Sequence, residues 1–320
     1  MAIETAKVNA VKRGITATFR QAAAKAAPIY PKMCSVNKST GRDEEYVISG
    51  SQPGMREFLG DRVFHQLTSA RFTVPNKHFE SSVEIDRVDY DDDRIGMYTD
   101  AIADLGDEAM CHPDELLFDL VKNGASTNCY DGQYFFDSDH LWRDSTALSN
   151  KITSTVGSLS AVTPMEAKKA IRAGIARMKT FKKDNGKFWY RPNVVRMSDF
   201  VVICPGALED AIDDAFEQKQ SLEIVSSSFG ATTNHFREKP TILSCPYLNA
   251  TETNGSDSKF YLFYVGGRLK PFVWQPRQKL RTEIKGLNSI EDKYIKFMTE
   301  ARYNFGYFMW QYAIEITLST

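Results

Sequence analysis

The stretch 75–140 constrains the fold most, because its hydrophobic period changes partway along. From His78 to Val88, Phe79, Ser81, Val83 and Ile85 alternate with charged and small residues, the period of two of a half-buried strand. Beyond Val88 the period lengthens: Ile95, Tyr98, Ile102, Leu105 and Ala109 recur at spacings of three and four, one apolar helical stripe. Asp91, Asp92 and Asp93 precede the stripe and suit an N-cap and first turn. Asp100, Asp104, Asp107 and Glu108 fall on the other side, so the helix is expected to hold a row of carboxylates outward. Pro113 predicts an interruption after about 18 residues, a rod of roughly 27 Å. A second helix is expected from Pro113, Asp114 and Glu115, with Leu116, Leu117, Leu120 and Val121 inward, until Gly124 ends it. Tyr130 to Phe136 reads as a hairpin with Asp131-Gly132 in a type I′ turn, both at positive φ.

Four segments here, PNKHFE (75–80), YDDDRIGMY (90–98), PDELLFDLVKNG (113–124) and CYDGQYFFDSDH (129–140), resemble in order and spacing the major head subunit family of Mu-like tailed phages. The resemblance is continuous over about 46–140 and weaker beyond. It implies an α+β fold, the tailed-phage major capsid fold of the Hong Kong phage type. The expected parts are an N-terminal arm (1–44), an E-loop (45–78), a peripheral domain with a long spine helix (79–198), an axial domain (199–258) and return strands shared by both (259–320). It also implies a structural protein, not an enzyme, that self-assembles as hexamers and pentamers into an icosahedral head, assembled in the host bacterial cytoplasm and ending in the virion. The implied partners are a separate scaffolding protein, a portal, a head protease, double-stranded DNA contacted without sequence preference, and a decoration protein. No cofactor, metal or membrane is implied.

Composition fits a soluble globular protein, at 42% hydrophobic and 25% charged residues. No run approaches the roughly 20 apolar residues that cross a bilayer, and MAIETAKVNA lacks an apolar secretion segment. Cys34, Cys111, Cys129, Cys204 and Cys245 form an odd set with no CxxC pair, so reduced thiols are expected. The net charge of -1 excludes a global field that would draw the chain to nucleic acid. Its distribution is uneven. Residues 1–32 carry Lys7, Lys12, Arg13, Arg20, Lys25 and Lys32 against Glu4, and 84–119 carries thirteen carboxylates against Arg87 and Arg94. Six basic residues against Glu283 return over 268–285. A charge run is ordinarily a solvated face, but blocks of alternating sign also suit a chain that meets copies of itself.

Residues 4–27 read as a basic amphipathic helix with Val8, Val11, Ile15 and Phe19 on one side and Pro28 ending it. The resemblance places this arm on the inner side of a shell, where Lys7, Lys12, Arg13 and Arg20 meet scaffold or DNA. Tyr46 to Ser49 and Phe64 to Val74 read as strands flanking a Gly/Pro turn and a short helical piece near 55–60, with few residues able to reach a common core. As the E-loop it would cross a neighbouring subunit, setting Arg56, Arg62, Arg71 and Lys77 against that neighbour's Asp100, Asp104 and Asp107. Residues 144–161 read as a linker, and Thr163-Pro164-Met165-Glu166 as a capping box opening a helix with Ala167, Ile171, Ile175 and Met178 inward. FVVIC (200–204) reads as a buried strand, followed after Pro205 by a helix with Leu208, Ile212 and Phe216 inward. Residues 221–235 read as a polar loop toward a symmetry axis; 241–245, 260–265, 271–275 and 305–316 read as strands. The rings of Tyr303, Phe305, Tyr307, Phe308, Trp310 and Tyr312 suit a sheet core better than a base-stacking platform, because they occupy both faces and no cation lies among them.

Catalytic chemistry finds little support. Asp89, Asp91 and Asp93 match the start of a calcium loop, but Arg94 stands where glycine is needed and Asp100 where glutamate is. Asp137, Asp139 and His140 near Cys129 offer a metal hydrolase or Cys–His reading, with no ligand spacing among the remaining histidines. Neither GxxxxGK[ST] nor GxGxxG occurs. The related fold can crosslink a lysine to an asparagine; Lys77 is the E-loop's lysine, but no asparagine partner is identifiable and no crosslink is expected. The readings that compete with a phage head are a nanocompartment shell of the same fold and a metal-dependent hydrolase.

Overall fold

Two sheets carry the chain, with the helices laid against them. The computed structural model describes residues 2–49, 57, 60, 69–92, 94–140, 147–183, 187–190, 196–217, 220–225, 228–233, 238–286 and 293–320. In order these form α1 (Ala2–Lys25), α2 (Tyr30–Met33), β1 (Cys34–Val36), β2 (Asp43–Ser49), β3 (Ser69–Pro75), β4 (Lys77–Asp86), α3 (Arg87–Asp91), α4 (Thr99–Asn123), β5 (Lys151–Thr155), α5 (Pro164–Thr180), β6 (Phe200–Cys204), α6 (Gly206–Glu217), β7 (Gln220–Val225), β8 (Ser228–Thr233), β9 (Thr241–Ser244), β10 (Lys259–Tyr264), β11 (Phe272–Lys285), β12 (Tyr294–Tyr307) and β13 (Ala313–Ser319).

One sheet runs β1-β11-β12-β4 and the other β5-β13-β10-β6-β9; β2 pairs with β3 and β7 with β8. β11 and β12 form an antiparallel ribbon of two 14-residue strands. Pro276 sits at one of its irregularities, where a missing N–H costs no ladder bond. α1 and α4 lie on this sheet, and α5 and α6 on the other. The larger hydrophobic core joins the sheets around Phe135, Phe136, Phe272 and Trp310. A smaller one holds Ile15 and Phe19 of α1, Ile102 and Leu105 of α4, and Ile85, Ile295 and Phe297 of the sheet.

The strand at β4, the capping box, the FVVIC strand and the helix after Pro205 form where the sequence places them. The capping box is complete: Thr163 Oγ1 accepts from the Glu166 N–H while the Glu166 carboxylate accepts from Thr163 N–H at 2.9 Å. The aromatic run is core, as in Phe135 stacked on Tyr307 at 4.7 Å.

Several expectations are corrected. Pro113 does not end the spine: α4 continues for 25 residues, roughly 37 Å at about 1.5 Å per residue, with Pro113 buried inside it. Proline costs the Ala109 carbonyl its helical donor, but the stripe of Ile102, Leu105, Leu117 and Val121 buries enough apolar surface to hold both halves in line. The Asp91–Asp93 cluster is no N-cap of the spine, which starts at Thr99 with Tyr98 as an uncapped N-cap; Asp93 lies outside the described residues. The capping carboxylate acts one element earlier, where Asp86 accepts from Val88 N–H at 2.9 Å. Gly124 closes α4 at φ -63, not in the left-handed region; it is glycine because a Cβ would sit 2.5 Å from the Phe136 ring.

The hairpin is not type I′, since Gly132 has φ 85 while Asp131 is not among the positive-φ residues. Gly132 N–H donates to Cys129 O at 3.1 Å and Cys129 N–H to Gln133 O at 2.6 Å, a three-residue loop closed by glycine. The linker 144–161 contains β5, which pairs parallel to β13 and alternates too weakly to be read alone. The loop 221–235 contains the hairpin β7–β8. The strand over 305–316 is two strands, β12 and β13, separated by a helical turn at Trp310–Tyr312. The short helical piece near 55–60 lies almost wholly outside the described residues.

Candidate assembly surfaces

The N-terminal arm docks on the spine. Val11 and Ile15 of α1 lie against Thr99 and Ile102, and Phe19 and Ala22 against Gly106, so the helices run side by side in the same direction. Phe19 meets Phe297 edge-on at 5.4 Å. Arg13 and Arg20 are exposed, Lys12 is half-buried, and the Lys7 side chain lies outside the described residues. The arm is fixed again beyond α1, where the Asp114 carboxylate accepts from Ile29 N–H at 2.8 Å and Tyr30 N–H at 2.7 Å. Burial raises the Asp114 pKa against the pull of these two bonds. Sequence reading put Asp114 in a helix first turn and missed this role, for which the only local signal was an acid on the inward side of a proline.

The ribbon β2–β3 is anchored by a polar network. Glu44 Oε1 accepts from Ser39 Oγ at 2.9 Å and from the Thr40 and Gly41 N–H groups, which hold its carboxyl below the usual range. Asn76 bridges to Ser39 Oγ at 2.6 Å, and Gln275 Nε2 donates to Val74 O at 3.0 Å and Asn76 Oδ1 at 2.8 Å. Tyr46 OH completes the link at 2.8 Å to Gln275 Oε1. Gln275 is fully buried, and Tyr46, Ile48 and Val74 are buried too, so the base of this excursion reaches the core after all. Sequence reading misjudged this base because its apolar partners lie some 200 residues away on β11 and β12.

Asp100, Asp104 and Asp107 are exposed along one side of α4, and Asp104 and Asp107 border a groove with Gln21 and Lys25 of α1. Arg71 pairs within its own ribbon, 3.3 Å from Glu45, and Lys77 is exposed at the start of β4. Arg56 and Arg62 lie outside the described residues. Among the described residues, none of the three spine carboxylates pairs with Arg71 or Lys77 of the same chain.

The Asp137–His140 cluster is built as structure. His140 is fully buried, its Nδ1 2.7 Å from Asp131 Oδ2, and its ring lies flat on Trp310 at 4.0 Å. Asp137 accepts from the N–H groups of Tyr134 and Ser138. Burial pushes the Cys129 thiol pKa well up, away from the thiolate a nucleophile needs. All five cysteines are free. Among the described residues no group of three His, Cys, Asp or Glu side chains could hold a metal, and Asp89, from the calcium-like run, instead accepts from Tyr98 OH at 2.6 Å. No helix among the described residues is long and apolar enough to cross a membrane.

The fold is that of tailed-phage capsid subunits. A subunit of the bacteriophage JBD30 procapsid aligns over 98% of this chain and 76% of its own with TM-score 0.55 and 24% identity. The bacteriophage PhiM1 mature capsid subunit aligns over 92% and 88% with TM-score 0.58 and 11% identity. A virus-like particle subunit from Pyrococcus furiosus shares the fold over 94% and 96%, with TM-score 0.53 and 10% identity. In sequence, the Mu-like prophage FluMu major head subunit of Haemophilus influenzae is 40% identical over 133 residues, 42% of this chain and 43% of that protein. The major capsid protein of Escherichia phage Mu is 34% identical over 140 residues, 44% and 46% of the two chains. The matched stretch therefore spans less than half the length of either relative. The family described as Mu-like prophage major head subunit gpT matches residues 8–167 and 249–318, taking in the arm helix, the spine and the strands that close both sheets; the chain belongs to that family.

Proposed function

We propose that this chain is a shell subunit whose copies associate as hexamers and pentamers into an icosahedral head enclosing double-stranded DNA. The observation that carries the reading is the family assignment through the arm, the spine and the closing strands. In this reading 1–44 is the arm, 45–78 the E-loop, 79–198 the peripheral domain, 199–258 the axial domain and 259–320 the shared return strands. Lys7, Lys12, Arg13 and Arg20 face the interior, toward scaffold and DNA. A separate scaffolding protein, a portal, a head protease and a decoration protein complete the particle, which assembles in the host cytoplasm. Each contact can be weak, because many repeated ones act together.

The E-loop lies across a neighbour, with Arg56, Arg62, Arg71 and Lys77 toward its Asp100, Asp104 and Asp107. The exposure of all three carboxylates on one side of α4 supports them as acceptors, and Arg71 would exchange Glu45 for one of them. Reversing charge at Arg56 and Arg62 is expected to impair assembly, with Asp-to-Lys changes on α4 partly restoring it; normal shells from the first variant would refute the pairing.

The test of the whole reading is expression with and without a scaffolding protein, followed by electron microscopy and sedimentation. Shells or capsomer rings support it, and a persistent small monomer even with scaffold overturns it. The fold shared with the virus-like particle subunit gives a second reading, a nanocompartment shell, which the same preparation would reveal by a copurifying protein cargo and no need for scaffold.

A further inference from the structure

The two helices on the five-stranded sheet carry opposite charge. α5 bears Lys168, Lys169, Arg172, Arg177 and Lys179, and the turn after it Lys182 and Lys183, with no carboxylate between 167 and 183. α6 bears Glu209, Asp210, Asp213, Asp214 and Glu217 and no cation. Lys169, Arg172 and Lys179 are exposed, as are Glu209, Asp210 and Asp214, while Asp213 is held by Lys239 at 3.0 Å. Lys182 and Lys183 lie over the rings of Phe188 and Trp189, 5.3 and 4.9 Å from their centroids. Burial, and after it the Arg172 guanidinium, push the Lys168 pKa down.

The sheet places these charges toward opposite edges. Its order is β5-β13-β10-β6-β9, with α5 on β5 and β13 and α6 on β6 and β9. Both helices cover the face that carries Ile152, Leu262 and Ile316, which meet α5 at Gly174. The spine is on the far side, where Tyr261 packs on Phe136. The layer is therefore basic toward one sheet edge and acidic toward the other, and neither helix is covered by α4. Met edge to edge, two copies related by a two-fold axis would set like charge against like, whereas copies placed end to end pair opposite edges and make head-to-tail contacts, which generate rings when the rotation closes.

We propose that α5 of one copy docks against α6 of the next, so that alternating charge sets the direction and register of subunits around each ring. The inference rests on the shell-subunit reading and names the surfaces that reading leaves open. Duplex DNA is the other partner a cationic helix suggests, but the carboxylates of α6 lie beside α5 on the same face and would repel it.

The test uses two full-length variants with folding checked by circular dichroism: K169E/R172E/K179E, which leaves both helices net acidic, and E209K/D210K/D214K, which leaves both net basic. Each alone is expected to need roughly a hundredfold more protein than wild type to form rings, since like charges then face each other across the contact. Mixed one to one, they are expected to recover six-membered rings by alternating, but not five-membered ones, because an odd ring forces one like-charged contact. Assembly of either variant at the wild-type concentration overturns the proposal. So does a mixture no better than its components, which would assign the charges to contact within one subunit. Failure of wild type itself to assemble would instead count against the shell-subunit reading.

Discussion

Gly106 is where the arm and spine backbones approach, and its replacement by alanine separates two effects of opposite sign. Within α4 alone the change is favourable by about 1 kcal/mol, because glycine loses the most freedom on entering a helix. Against α1 it is unfavourable: a Cβ at 106 would lie 2.6 Å from the Phe19 carbonyl oxygen and 3.3 Å from Ala22 Cβ. The oxygen belongs to the backbone and cannot rotate away, so α1 must retreat by roughly 0.7 Å to reach ordinary contact, and a gap of that order forfeits about a quarter to a half of each facing dispersion well. Ile15 and Phe19, 4% and 2% exposed, are the main side chains α1 buries here. At about 2 kcal/mol each, the loss is roughly 1–2 kcal/mol of docking free energy. Hydrogen exchange measured by mass spectrometry is then expected to quicken about 5- to 30-fold in the amides of α1 that open with it, and to slow or stay unchanged in α4. Equal protection of α1 in the two proteins would refute the close approach as the reason for glycine at 106.

Four further changes probe the same framework. Asp114→Ala leaves the Ile29 and Tyr30 N–H groups without their acceptor and is expected to cost about 1.5–3 kcal/mol in urea unfolding. Because the folded-state pKa of Asp114 is raised, its ionisation-linked stability is full below the ordinary value of 3.8 and is lost as pH rises through the folded value; the variant should lack that slope. Glu166 has the opposite sign: hydrogen bonds from Thr163 and Gly157 hold its pKa below 4.5, so its contribution is full above 4.5 and lost as pH falls through the folded value. Thr163→Ala is expected to cost about 1 kcal/mol by removing the cap, and Glu166→Gln to flatten the acid limb of a stability–pH profile. Gly124→Ala drives a Cβ into Phe136, itself 1% exposed, and is expected to lower stability by about 1–3 kcal/mol, seen as a fall in Tm; an unchanged Tm would show that the ring can move.

Features with local causes were legible in the chain. The period-two strand at β4, the reciprocal Thr163–Glu166 cap, the five buried residues of β6 and the apolar stripe of α1 each follow from neighbours a few residues apart. The exposed row Asp100, Asp104 and Asp107 was legible for the same reason, as the polar side of a helix whose other side is apolar. The family was legible from four short segments, and with it the fold.

What the chain could not settle by itself depends on residues far apart in sequence. Pro113 reads as a helix end until the core on either side of it is known to hold one continuous rod. β5 reads as linker until β13 supplies its partner. Asp114 and Gln275 look like ordinary polar residues, yet one anchors the arm and the other the base of β2–β3, across separations of 84 and 229 residues. Gly106 and Gly124 need glycine because a backbone and a ring approach them from elsewhere, and no local turn would have said so. Sequence determined the local periods, the caps and the distribution of charge, since those energies are set within one or two helical turns. Tertiary structure decided where elements continue, pair and lock, because that free energy comes from burying surfaces and satisfying polar groups that only the folded chain brings together.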